Sequence, residues 1–97
     1  MKIDKIKELT AKLIKDNYKM NKLTYGLEFV KEFKYNKVFR VVYIKNYNEI
    51  TIFIENKNTD MVISSKYYNL TKISDIDFIF LIDRIKMFAR LFDDLFI

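Results

Sequence analysis

The chain predicts a small α+β domain in the order α-β-β-β(-β)-α: an antiparallel meander sheet packed by an amphipathic N-terminal helix and a long C-terminal helix. Three observations lead there. Apolar residues recur at spacings of three and four at both ends of the sequence and at a spacing of two through its middle. The period-two segments are separated by short polar turns rich in Asn and Lys, which suit antiparallel neighbours. Finally, 97 residues, 51% of them hydrophobic, make one domain over residues 1–97, near the low end for a self-sufficient core.

In residues 3–17, Ile3, Ile6, Leu9, Thr10, Leu13 and Ile14 fall on one helical face. Lys5, Lys12, Lys15 and Lys19 gather on another, followed by Lys22 if the helix runs that far. Asp4 and Glu8 lie among them, and Glu8–Lys12 has the favourable i, i+4 order. Asn17 reads as a stop. From Leu23 the period is two: Leu23, Tyr25, Leu27 and Phe29 alternate with Thr24, Gly26 and Glu28 in a strand running to about Phe33, with a bulge expected at Val30-Lys31. Lys34 to Lys37 is a turn. Val38 to Lys45 and Ile50 to Glu55 are the next strands, joined through Asn46 to Glu49. After the polar turn from Asn56 to Asp60, Met61 to Tyr67 is available as a fourth. Ser74 opens the last helix. With Asp77 it makes a capping-box-like pair, and Asp75 and Asp77 suit the positive helix end.

That last helix carries more apolar surface than one packing face needs. At about 100° per residue, Phe78, Leu81, Ile82, Ile85, Phe88, Ala89, Phe92, Leu95 and Phe96 form the main stripe, which Ile76, Ile79, Phe80, Met87 and Leu91 widen. Asp83, Arg84 and Lys86 at mid-helix argue against a membrane span. Residues Ile76 to Leu91 can be largely taken up against the sheet and first helix. Phe92, Leu95 and Phe96, interrupted by Asp93 and Asp94, then form a partner-binding tip, with a homodimer through this helix as one use. Arg90 can pair with either aspartate within the chain; basic residues of a partner are the other solution. In the strands, Val38, Val42 and Ile44 point one way and Phe39, Val41 and Tyr43 the other, while Phe53 opposes Ile50, Ile52 and Ile54. If both helices lie on one side, Phe39, Val41, Tyr43 and Phe53 face outward as a contact patch. If one helix lies on each side, they are core.

Composition narrows the chemistry. The chain has no Cys and no His, so it lacks disulfides, thiolate ligands and the commonest general base; no metal site or cofactor is expected. No nucleophile motif or glycine-rich phosphate loop is present, and enzyme activity is not expected. Charge is uneven: 12 basic against 5 acidic residues in 1–45, and 6 against 8 in 46–97. Lys12, Lys15, Lys19, Lys22, Lys34 and Lys37 could serve nucleic acid or an acidic partner, with Tyr18, Tyr25 or Tyr35 for stacking. They also read as a solvated lysine surface from AT-rich coding. The α-β-β-β-α order resembles the double-stranded-RNA-binding domain, a resemblance confined to element order. That family grips phosphate with lysines at the start of its second helix, where this chain has Ser74-Asp75-Ile76-Asp77. The N-terminus lacks the apolar run of a signal peptide, so a cytoplasmic location is expected. Asn69-Leu70-Thr71 matches a glycosylation sequon and reads as chance in such a protein. The whole profile is that of small phage or mobile-element proteins, anti-CRISPR inhibitors among them. The leading expectation is a non-enzymatic protein-binding inhibitor of a host defence complex, acting by surface occlusion; the alternative is a basic, non-specific RNA- or DNA-binding protein.

Overall fold

A computed structural model of the chain describes residues 4–33, 36–59 and 61–95, with the side chains of all of these except 61–64, 88 and 91–95. The first helix, α1 (Lys5–Lys15), is capped by Asp4, whose carboxylate accepts a hydrogen bond from the Lys7 N–H at 3.2 Å. It buries Leu9 and Leu13. It ends as the Asn17 signal predicts, and abruptly. Asn17 takes a left-handed φ of 69°. Its N–H bonds the Ile14 carbonyl at 3.0 Å, and the Tyr18 N–H bonds the Leu13 carbonyl at 3.0 Å. These two bonds make a Schellman motif, completed by the buried pair Leu13 and Tyr18.

The abrupt stop makes room for a strand that periodicity alone does not reveal. The sheet has five strands: β1 (Lys19–Leu23), β2 (Gly26–Phe33), β3 (Lys37–Ile44), β4 (Glu49–Asn56) and β5 (Met61–Asn69). All neighbours are antiparallel and sequential, in the order β1-β2-β3-β4-β5. Lys19 and Lys22 therefore sit on a strand and not on an extension of the helix. The expected single strand from Leu23 to Phe33 is split by a hairpin at Thr24-Tyr25. Gly26 makes this possible: a Cβ there would lie 1.7 Å from the backbone oxygen of Tyr43, so only glycine allows β2 to begin pairing against β3 at this point.

No bulge occurs at Val30-Lys31. Pairing of β2 with β3 runs unbroken from Gly26↔Ile44 to Phe33↔Lys37, and Lys31 is accommodated in place. Its ammonium donates to the Asp16 carbonyl at the end of α1 (2.8 Å) and lies 5.3 Å and 5.7 Å from the ring centroids of Tyr18 and Phe33. The irregularity in the sheet is elsewhere, between Ile54 and Glu55 of β4 where they meet Ser64 and Val62 of β5.

Register decides which face is core. Val41 stands opposite Phe29 and Ile52, Phe39 opposite Ile54, and Tyr43 opposite Ile50. Directly opposed residues share a face, so these all lie on one side. That side packs against both helices: Leu9 and Leu13 of α1 and Phe78, Leu81, Ile82, Ile85 and Ala89 of α2 (Asp75–Leu95) belong to the same buried cluster. Both helices thus cover one face, and Phe39, Val41 and Tyr43 are on that face, contrary to the outward placement considered for a one-sided arrangement. Val38, Arg40, Val42, Ile44 and Phe53 are instead among the residues of the open face.

A 3-10 turn, Leu70–Lys72, links β5 to α2. Its Leu70 N–H bonds the Asn48 carbonyl (2.8 Å), and Lys5 of α1 donates to the Leu70 carbonyl (3.2 Å). Ser74 caps α2 as expected, its hydroxyl accepting from the Asp77 N–H at 3.2 Å. The start of α2 is further tied to α1 by Lys5–Asp75 at 3.8 Å.

Candidate functional site

Among the described side chains, the predicted site residues do not assemble into one place. Phe39 is 1% exposed and sealed in the core, meeting Tyr18 and Phe33 edge-on at 6.4 and 6.2 Å. Tyr43 is half-buried and packs against the same core. Phe53 is on the open face, half-buried, directly opposite Arg40. The side chains of Phe92, Asp93, Asp94 and Leu95, and Phe96 altogether, lie outside the described residues.

The lysines disperse as well. Lys15 is exposed on α1 and Lys12 half-buried there. Lys19 and Lys22 are exposed on β1 but on opposite faces, since Lys19 pairs with Val30 and Lys22 with Leu27. Lys37 is half-buried at the start of β3, and Lys34 lies outside the described residues. Among the proposed stacking residues, Tyr18 is buried and Tyr25 is exposed at a hairpin turn, whereas Tyr35 is outside the described residues. Asn69 and Thr71 of the sequon serve the turn itself: Asn69 accepts from the Thr71 N–H at 2.9 Å, and the Thr71 hydroxyl accepts from Asn48 at 3.1 Å.

The open face of the sheet is covered in part by its own side chains. Arg40 in the central strand reaches Glu28 on β2 at 3.4 Å and Glu55 on β4 at 3.6 Å. The Arg40 Nε is buried and close to Glu28 without an aligned hydrogen bond, so this contact is charge proximity rather than a fork. Val38 and Val42, with no helix over them, are only 6% and 8% exposed. Their cross-strand neighbours, Glu28 and Thr51 for Val42, Glu32 and Glu55 for Val38, share that face and shade them with apolar stems.

The outer side of α2 is different. Ile76, Phe80 and Met87 are 67%, 57% and 61% exposed. At 3.6 residues per turn they point within about 40° of one another, opposite the buried line of Phe78, Ile82, Ile85 and Ala89. These three are the part of Ile76 to Leu91 that does not pack inward, while Phe78, Leu81, Ile82, Ile85 and Ala89 do. Two elements and one sheet face cannot surround a helix, so residues on its far side stay in water whatever their polarity. The helical projection already groups Ile76, Phe80 and Met87. What it lacks is the direction of the core.

Asp83 and Arg84 flank this stripe, both exposed, and no ion pair engages either among the described residues. Among the described residues no helix is long and apolar enough to cross a membrane, and no group of three or more acidic side chains is placed to hold a metal ion. No protein-family model, no curated protein and no solved structure matches the chain.

Proposed function

We propose that the chain is a non-enzymatic protein-interaction module whose contact surface is the outer face of α2. The observation that carries this is the line of Ile76, Phe80 and Met87, more than half exposed and aligned on one side of a single helix. Exposed apolar residues scattered singly need no explanation, and the remaining large ones, Ile14, Tyr25, Tyr47 and Tyr67, are of that kind. Three in a row on a rigid helix are an anchor set. Covering them would return roughly 1–2 kcal/mol each at about 25 cal/mol per Å² of apolar surface, enough to drive association once charges at the rim are matched.

The use of this surface that fits the composition is occlusion of a protein of a host defence complex, in the manner of phage or mobile-element inhibitors of the anti-CRISPR kind. The compact Cys-free, His-free chain supports that reading. The test is to express the tagged full chain, wild type and Phe80→Ser/Met87→Ser, in cells with an active CRISPR defence and score phage plaquing. Plaquing restored by the wild type and lost in the variant, at equal expression and unchanged circular dichroism, is expected. Equal plaquing with both would remove α2 as the working surface. No restoration by the wild type would remove the defence-inhibitor use.

A further inference from the structure

Resting on the reading of the outer α2 face as a contact surface, we propose that in the isolated protein its occupant is a second copy of this chain, which a target protein displaces, packed with the two α2 helices parallel about a two-fold axis. The argument is charge complementarity. Successive helix residues are about 100° apart, so Asp83 falls on one flank of the Ile76–Phe80–Met87 line and Arg84 on the other, at the same height. Neither is neutralised by an ion pair among the described residues.

When two identical helices face each other in parallel, the left flank of one meets the right flank of the other at the same height. Asp83 of each copy then meets Arg84 of the other, giving two reciprocal pairs. In the same arrangement Ile76, Phe80 and Met87 each meet their own counterpart, so all three apolar layers are covered together.

The antiparallel alternative brings like flanks together, and there the chemistry fails. Asp83 must find Lys86 or Arg90, or Asp77 must find Arg84. Each of these slides the stripes until Ile76, or Ile76 and Phe80, or Met87 falls outside the overlap. With the two copies centred on each other, Asp83 faces Asp83 and Arg84 faces Arg84. Only the parallel arrangement satisfies charge and apolar layers at one register.

The area sets the strength. The 21-residue α2 is about 31 Å long at 1.5 Å per residue, and one helix pair of that length buries less than the ~800 Å² per partner of a standard stable interface. The dimer is therefore of the weak class.

Sedimentation equilibrium of the full chain from about 10 μM to about 1 mM tests this. The wild type is expected to dimerise within that range. Asp83→Arg and Arg84→Asp should each weaken it roughly tenfold by placing like charges opposite one another. The double variant Asp83→Arg/Arg84→Asp should recover wild-type association, and the two single variants should associate with each other when mixed. Because the chain has no cysteine, Met87→Cys gives an independent readout: parallel packing puts the two new thiols together, and mild oxidation should yield a covalent dimer.

A wild type that stays monomeric overturns the second copy as occupant. Loss of plaquing in Phe80→Ser/Met87→Ser would still stand for the contact surface, so the two failures are separable. Dimerisation abolished by Phe80→Ser/Met87→Ser but not recovered in the charge-swapped double variant, or without a Met87→Cys cross-link, overturns the parallel pairing.

Discussion

Replacing Tyr18 by Phe removes one buried oxygen from the junction of α1 and β1. Tyr18 is 3% exposed, its ring meets Phe39 edge-on at 6.4 Å, and the Lys31 ammonium lies 5.3 Å from its centroid. A phenyl ring keeps all three features. The phenol oxygen finds no hydrogen-bond partner among the described residues, and a polar group buried in that state costs roughly 1–3 kcal/mol. Tyr18→Phe should therefore stabilise the fold at pH 7 by about 1 kcal/mol.

The same variant has a second signature at high pH. Burial, and then the neighbouring Asp16 carboxylate, hold the Tyr18 phenol well above its ordinary value of 10.0. In the unfolded chain it ionises near 10. Above that pH the unfolded chain gives up a proton that the folded chain keeps. Ionisation of this group thus leaves stability unchanged below about pH 10 and lowers it as pH rises further, at up to about 1.4 kcal/mol per pH unit. Tyr18→Phe lacks this loss. Urea unfolding followed by circular dichroism at pH 7, 10 and 11 should show the gap between variant and wild type widening by about 1 kcal/mol over the last step. A variant destabilised by more than about 1 kcal/mol at pH 7, or two stability curves that stay parallel above pH 10, would refute the reasoning.

Two further substitutions probe the backbone. Gly26→Ala places a Cβ 1.7 Å from the Tyr43 oxygen, where real contacts stay beyond 3.0 Å; the strand must shift, and a loss of about 1–3 kcal/mol or more in thermal or urea unfolding is expected. At Asn17, with its φ of 69°, Asn17→Gly should be neutral or slightly stabilising and Asn17→Ala should cost about 1 kcal/mol. Equal effects of the two would show that the left-handed turn is not what ends α1.

Much of this architecture follows from short-range chemistry, and those parts were legible. Ser74 and Asn17 act through hydrogen bonds or dihedral preferences within a few residues, so these helix limits can be read from neighbours alone, whereas Asp4, expected inside the first helix, caps it instead. The exception at this level was β1. Its five residues, Lys19–Leu23, include two exposed lysines that also continue the lysine spacing of α1, so periodicity left a longer helix open and gave no sign of a strand before Leu23. Only the Schellman closure at Asn17 and the close approach of Gly26 to β3 separate the two readings. The missed α2 surface has a similar origin. Ile76, Phe80 and Met87 are visible in projection, but a wheel has no inside until something packs against it.

Alternation within each strand is a property of the sequence, because successive side chains must point to opposite faces. So are the stop at Asn17, the cap at Ser74, the order of the elements other than β1, and the absence of cysteine and histidine. Which face of one strand joins which face of the next depends on pairing. Four residues, Lys45 to Asn48, connect β3 to β4, and Ile44 stands opposite Glu49. That register puts odd positions of β3 beside even positions of β4, bringing Phe39 and Val41 in with Ile54 and Ile52. A one-residue slip would have sent them outward. Tertiary structure alone decided that both helices share this face, that Arg40 meets Glu28 and Glu55 on the other, and that the outer side of α2 is left apolar and open to water.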